Sequence, residues 1–179
     1  TDQRDIQGIG HSQILVLRPL IDFKTWANQR GMDGTPSSPI LLNARLWAVL
    51  GDLQGPNGEI ESRKWDIIED PWSQKLSLSH DLEDLHIAPT LRTISPHESK
   101  WLRRSKLDEE IGKIIEERRR GKTGESNSSG TVRSMLLQKW SLKSGTAKIN
   151  FSNILIPGWI IDLNPKRVLH GRNGRLYDF

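Results

Sequence analysis

Cysteine is absent from the 179 residues. That excludes disulfides, cysteine nucleophiles and cysteine-ligated zinc, and it suits a reducing compartment. Aromatic residues other than tryptophan are scarce: one Tyr and three Phe, against seven Trp. No apolar run approaches the ~20 residues that a membrane-spanning helix needs. The polar opening TDQRDIQGIGHSQ is not a signal peptide. Together these point to an intracellular protein, cytoplasmic or nuclear, with no membrane association. The chain starts at Thr1 without a Met, as a processed or excised fragment does. Catalytic signatures are missing too: there is no G-x-S-x-G elbow, no HExxH, no His pair at i, i+4 and no dinucleotide glycine motif. Gly121-Lys122-Thr123 matches only the end of a phosphate loop, and Glu116 stands where the earlier glycine is required. No catalytic residue, metal ligand or cofactor is assigned.

Charge is present in quantity and is unevenly spread. Residues 1–97 carry nine Lys/Arg against thirteen Asp/Glu, residues 98–130 nine against seven, and residues 131–179 eight against two. A net charge of +4 therefore hides a gradient from acidic to basic. Such asymmetry bears on partners rather than on fold, and its basic end attracts phosphates.

The strongest local signals lie between residues 95 and 130. Ser95 suits an N-cap, Pro96 the first helical position and Glu98 a capping box. Leu107, Ile111, Ile114 and Ile115 then recur on one helical face. Arg118, Arg119 and Arg120 complement a helix C-terminus, and Gly121 offers an exit. The pattern predicts one long helix over about 96–120, followed by a mobile linker over 121–130. Before it, Ile14–Leu17 reads as a short strand and Pro19–Arg30 as a helix. ILLNARLWAVL, apolar on nearly all sides, reads as a central helix opened by Ser38-Pro39. Pro56-Asn57-Gly58 marks a hairpin turn, Leu76 and Leu78 a half-buried strand, and Ser79 a cap for a single turn holding Leu82 and Leu85.

After the linker, Val132, Met135, Leu136 and Trp140 space like a second helix ending at Gly145. Ala147, Ile149 and Phe151 then alternate as a strand, Pro157-Gly158 turns, and Asn173-Gly174 closes a terminal hairpin. That turn sets His170 opposite Tyr177 and Val168 opposite Phe179. The expected fold is α+β: residues 1–120 form a mostly helical body ending in the long helix. Residues 131–179 add a basic helix and a small antiparallel sheet, packed on the same core because 49 residues make a marginal independent domain.

Three functional readings follow. The first is non-enzymatic, sequence-tolerant nucleic-acid binding, to RNA or DNA, with Arg118, Arg119, Arg120, Lys122, Lys166, Arg167, Arg172 and Arg175 on phosphates. Tyr177, Trp159 or Phe179 would stack a base. A Trp-rich, Cys-free, basic composition fits viral structural or accessory proteins, and with them a place in a larger assembly. The second is an oligomeric or protein-interaction module. Trp101, Leu107, Ile111 and Ile114 would meet a homo-oligomeric or other protein partner, although Arg104 and Arg118 at the flanking heptad positions exclude a sustained coiled coil. The third is an Mg²⁺-dependent nuclease. It would draw on Asp66, Glu69, Asp70, His80, Asp81, Glu83, Asp84 and His86, with Glu98-Ser99-Lys100 as the acid–lysine pair.

Overall fold

The structure is a computed structural model and describes residues 14–79, 85–121 and 137–179. In chain order it contains β1 (Leu15–Leu17), α1 (Phe23–Gln29), β2 (Ser37–Gln54), β3 (Ile60–Asp70), β4 (Lys75–Leu78), β5 (Leu85–Ile87) and β6 (Thr93–Ile94). A 3₁₀ turn (Glu98–Lys100) precedes α2 (Arg104–Ile115) and β7 (Glu117–Arg120). β8 (Leu137–Leu142), β9 (Lys148–Ile161), β10 (Arg167–His170) and β11 (Leu176–Tyr177) complete it. The strands form a mixed sheet whose main path runs β11-β10-β9-β2-β3-β4. No described helix is long and apolar enough to cross a membrane.

The expected mostly helical body is therefore overturned, because the described chain is mostly strand. The decisive error is ILLNARLWAVL, which lies inside β2. β2 pairs with β9 from Ser37↔Ile161 to Leu50↔Lys148 and with β3 from Arg45↔Glu69 to Gln54↔Ile60, without a break in register. Side chains alternate between faces along such a strand. Ile40, Leu42 and Ala44 enter one core cluster, with Ile154, Ile156 and Val168. Trp47, Val49 and Leu53 enter another on the opposite face, under α2. Leu41 is buried by a third group with Val16 and Leu155. A strand whose inner face switches along its length presents apolar residues at both parities, and in sequence that imitates a helix buried all round. Pro39 is tolerated because β9 covers only one edge of β2 there; β6 joins the other edge at Leu41 and β3 at Arg45.

The long helix is broken into three pieces. His97, not Ser95, caps the 3₁₀ turn, its Nδ1 accepting from the Ser99 N–H. The chain is then extended through Trp101 and Arg103, and α2 covers only Arg104–Ile115. Its apolar face is as expected, with Leu107, Ile111 and Ile115 buried. Arg118, Arg119 and Arg120 belong to β7, which pairs with β8 from Glu117↔Trp140 to Arg120↔Leu137. Glu117 and Arg119 are half-buried while Arg118 and Arg120 are exposed, which gives this run a period of two.

The second helix is also corrected, since Leu137–Leu142 is strand and joins β2 at Leu53↔Leu142. Its start, including Val132, Met135 and Leu136, lies outside the described residues, as do Lys122 and the rest of the expected linker beyond Gly121. Leu85 is in β5 rather than in a helical turn; the rest of that turn is outside the described residues. Pro157-Gly158 does not turn: β9 runs through it. A Cβ on Gly158 would lie 2.8 Å from the Leu169 carbonyl oxygen, so glycine here permits close approach of β10.

Other readings hold. β1, β4 and the hairpin around Gly58 are present, and α1 forms, shortened to start after an Asp22 cap. The terminal hairpin forms in a different register, with Val168↔Tyr177 and Leu169↔Leu176. The Gly174 N–H donates to the His170 carbonyl and the His170 N–H to the Arg175 carbonyl, so the loop is longer than the two residues expected.

Burial of α2 against the sheet predicts the cost of truncating it. Ile111→Ala, at a fully buried site, should lower the unfolding free energy by about 2–5 kcal/mol. Leu50→Ala, half exposed on β2, should cost less than about 1 kcal/mol. Urea unfolding checks both, and equal small effects would contradict the packing of α2.

Candidate nucleic-acid interface

The arginines expected to meet phosphates fall into separate groups. On β7, Arg119 donates to both carboxylate oxygens of Glu61, at 2.8 and 2.9 Å, and to Glu117 at 2.9 Å, while its guanidinium stacks over Trp140. Those hydrogen bonds, from Glu61 first and Glu117 second, hold the Arg119 guanidinium well above its usual range. Arg63 reaches Glu117 at 2.6 Å, and Glu116 takes both Arg118, at 3.5 Å, and Lys139, at 3.1 Å. Arg120 is exposed, with no acidic partner among the described residues. The second group sits on β10 and the terminal hairpin. Arg167 pairs with Asp178 at 3.3 Å, and Arg172 donates to the Arg18 carbonyl at 2.6 Å. Lys166 and Arg175 are exposed.

These groups lie at opposite ends of β2. Through β9, β10 sits level with Ile40 (His170↔Gly158, Gly158↔Ile40), whereas β8, the partner of β7, meets β2 at Leu53. Thirteen strand positions correspond to ~40 Å. The structure does not bring the two basic groups onto one surface.

A different set of cations does converge. The segment 99–106 lines a cleft of about 750 Å³ with Lys100, Trp101, Arg103, Ser105 and Lys106, and Gln74, Leu76 and the Glu110 carboxylate line the rest of its wall. One buried carboxylate positions it: Glu69, 2 % exposed, accepts from Leu102 N–H at 2.8 Å and from Trp47 Nε1 at 2.9 Å. Trp101 is fixed by Arg45, whose guanidinium lies between the rings of Trp101 and Phe151 at 4.1 and 4.5 Å. Lys100, Arg103 and Lys106 are exposed, with no ion-pair partner among the described residues. They surround the start of α2, which has no side-chain cap and no acid in its first turn. A helix N-terminus repels cations and attracts anions through its dipole and its unpaired N–H groups. Three cations placed there do not serve the helix; they suit an anion bound in front of it. The signal was legible as SKWLRRSK, four cations in residues 100–106 without an acid, but those positions read as part of a longer helix.

The oligomer face is otherwise occupied. Leu107 and Ile111 are in the core under the sheet, Ile114 packs beside them, and Trp101 is partly buried on Arg45. The described part of the acidic set diverges likewise. Glu69 and Asp70 are consecutive on β3, so they face opposite sides, and each serves an internal network. Asp70 Oδ2 accepts from Ser73 Oγ at 2.8 Å and faces Nε2 of His170 at 2.7 Å. His170 is buried, and its Nδ1 accepts from the N–H groups of Arg172 and Asn173. That assigns the ring hydrogen to Nε2, pointing at Asp70. His80, Asp81, Glu83 and Asp84 lie outside the described residues.

Burial pushes the Asp70 carboxyl up, but its hydrogen bonds to His170 and Ser73 outweigh burial and hold it below the usual carboxylate range. Its contribution to stability is then complete above the unfolded value of about 4 and is lost as pH falls through the lower folded value. The difference in urea midpoint between the parent chain and Asp70→Asn should be constant at neutral pH and shrink as pH is taken below about 4. A difference independent of pH would contradict this network.

Among known proteins, no family model, curated protein or solved structure matches the chain.

Proposed function

We propose that the protein binds nucleic acid without enzymatic turnover, tracking a single-stranded phosphate backbone through the cleft at the start of α2. The observation that carries this reading is the convergence of Lys100, Arg103 and Lys106 on an uncapped helix N-terminus, with no acidic partner among the described residues. Phosphate there gains both from the cations and from the helix dipole. Binding of this kind is sequence-tolerant and weakens with salt, because each neutralised phosphate releases condensed counterions. Trp101, with the Arg45 guanidinium 4.1 Å from its ring centroid, adds an aromatic surface of the sort on which bases stack. The reading moves the main contacts away from Arg118 and Arg119, whose charges are met internally by Glu116, Glu117 and Glu61. Arg120, Lys166, Arg172 and Arg175 remain as secondary contacts at the two ends of the molecule.

Fluorescence anisotropy with a labelled single strand across a salt series tests it. The log of affinity should fall linearly with the log of salt, and Lys100→Ala/Arg103→Ala/Lys106→Ala should flatten the slope by about 2, at roughly 0.7 per lost phosphate contact. Arg172→Ala/Arg175→Ala should change it less. The reverse ranking would move the interface to the terminal hairpin, and absence of binding at low salt would refute the function.

A further inference from the structure

Gln74 ends the turn between β3 and β4 with φ at 57°, and among the described residues it is the one non-glycine residue at positive φ. Glycine takes that conformation freely, whereas a residue with a Cβ is strained in it. A side chain kept at such a position is explained by what it does rather than by what the backbone prefers. Gln74 is exposed, and its amide has no hydrogen-bond partner among the described residues. It lines the cleft at the start of α2 and also an adjoining cavity of about 350 Å³, which continues along the helix to Lys113 and Ile114. Gln74, Leu76 and Glu110 belong to the walls of both, so they mark the passage from one to the other. We propose that Gln74 is a ligand-contacting residue of the cleft: its amide hydrogen-bonds the base edges of the bound single strand, while Lys100, Arg103 and Lys106 hold the phosphates. This rests on the nucleic-acid reading of the cleft.

The turn that carries Gln74 is held in place. Asp70 Oδ1 accepts from the N–H groups of Trp72 and Ser73, at 3.0 and 3.4 Å, and Oδ2 accepts from the Ser73 hydroxyl at 2.8 Å. Asp70 is itself anchored by the buried His170, at 2.7 Å. Its neighbour Glu69 holds the segment that carries the cations, through the Leu102 N–H. Two consecutive carboxylates of β3 therefore fix both Gln74 and the cations on one cleft, and fixed walls bind without a cost of ordering.

Charge separates the roles along the wall. Gln74 and Leu76 are neutral, and Glu110, one helical turn on from Lys106, is an acid that pairs with Lys113 at 3.4 Å. This part of the wall has no attraction for phosphate, so the backbone is drawn to Lys100, Arg103 and Lys106 and the bases are left to Gln74 and Leu76. The amide suits that task. A glutamine side chain carries donors and an acceptor side by side, and the Watson–Crick edge of every base offers both in return. Contact of this kind adds affinity for bases without selecting among them, which keeps binding sequence-tolerant.

A labelled single strand and an abasic strand of equal length and charge, titrated against the full chain and its Gln74→Gly variant, test the contact. Glycine removes the amide and suits the backbone, so the urea midpoint of Gln74→Gly should be no lower than the parent's. Its affinity for the base-bearing strand should fall about fivefold, the scale of one lost hydrogen bond. The salt dependence should stay the same, because no charge is lost. Affinity for the abasic strand should stay within about twofold of the parent's, since that strand has no base edge to lose. Equal binding of the base-bearing strand by both chains would overturn the contact while leaving the cleft in place. An equal loss on the abasic strand would move the contact to the backbone and overturn it too, and a lowered urea midpoint would make Gln74 a structural residue and do the same. Absence of binding to the parent chain would overturn the cleft reading, and the contact with it.

Discussion

The fold depends on one strand having to satisfy two cores. β2 runs for eighteen residues, Ser37–Gln54, and is paired along both edges over most of that length. No helix or loop can substitute for it, because the ladders to β3 and β9 take up its backbone groups on both sides. Its side chains bury into the Trp72–Val168 cluster near its start and into the α2 cluster beyond Trp47. Loss of register by one residue would exchange those faces and expose both sets at once. The rest of the molecule is arranged around this strand: α2 closes one face, β10 and β11 extend the sheet at its start, and β7 and β8 pair at its end.

That same length decides the electrostatics. Because β7 docks near the hairpin of β2 and β3, Arg119 meets Glu61, 58 positions away in sequence. The charge run that looked most like a phosphate site is thereby tied to Glu61 from the first half of the chain and to its own neighbours Glu116 and Glu117. Surface pairs of this sort add little stability singly, but they remove Arg119 and Arg118 from the charge available to a partner. Lys100, Arg103 and Lys106 keep their charges free of ion pairs among the described residues, as Arg120, Lys166 and Arg175 do, but only these three are gathered at one helix start, spaced by a 3₁₀ turn and an extended step that Glu69 enforces. One buried carboxylate thus links the sheet to the proposed interface.

Local, short-range features were legible in the sequence. The turn at Asn57-Gly58, the alternation of Leu76 and Leu78 and the buried stripe of α2 follow from backbone preference or from period and are present, and the Asn173-Gly174 hairpin is present with a longer loop and another register. What failed depended on pairing at long range. β2 imitated a helix because its buried face changes, and 96–120 imitated one helix because capping residues, an apolar stripe and terminal arginines happened to fall in helical order. Leu102 N–H bonding to Glu69, 33 positions back, breaks that order. No local pattern announces it. The cleft was missed for the same reason: its cations were visible, but the break that gathers them at the start of a helix was not.

Photocrosslinking tests the central claim most directly. An oligonucleotide carrying 4-thiouridine, irradiated in complex with the full chain, reports which residues lie against the bound strand when the peptides are mapped by mass spectrometry. Adducts should fall within residues 99–106. Adducts confined to 118–120 or to 172–175 would contradict the account and return the interface to one of the two basic ends.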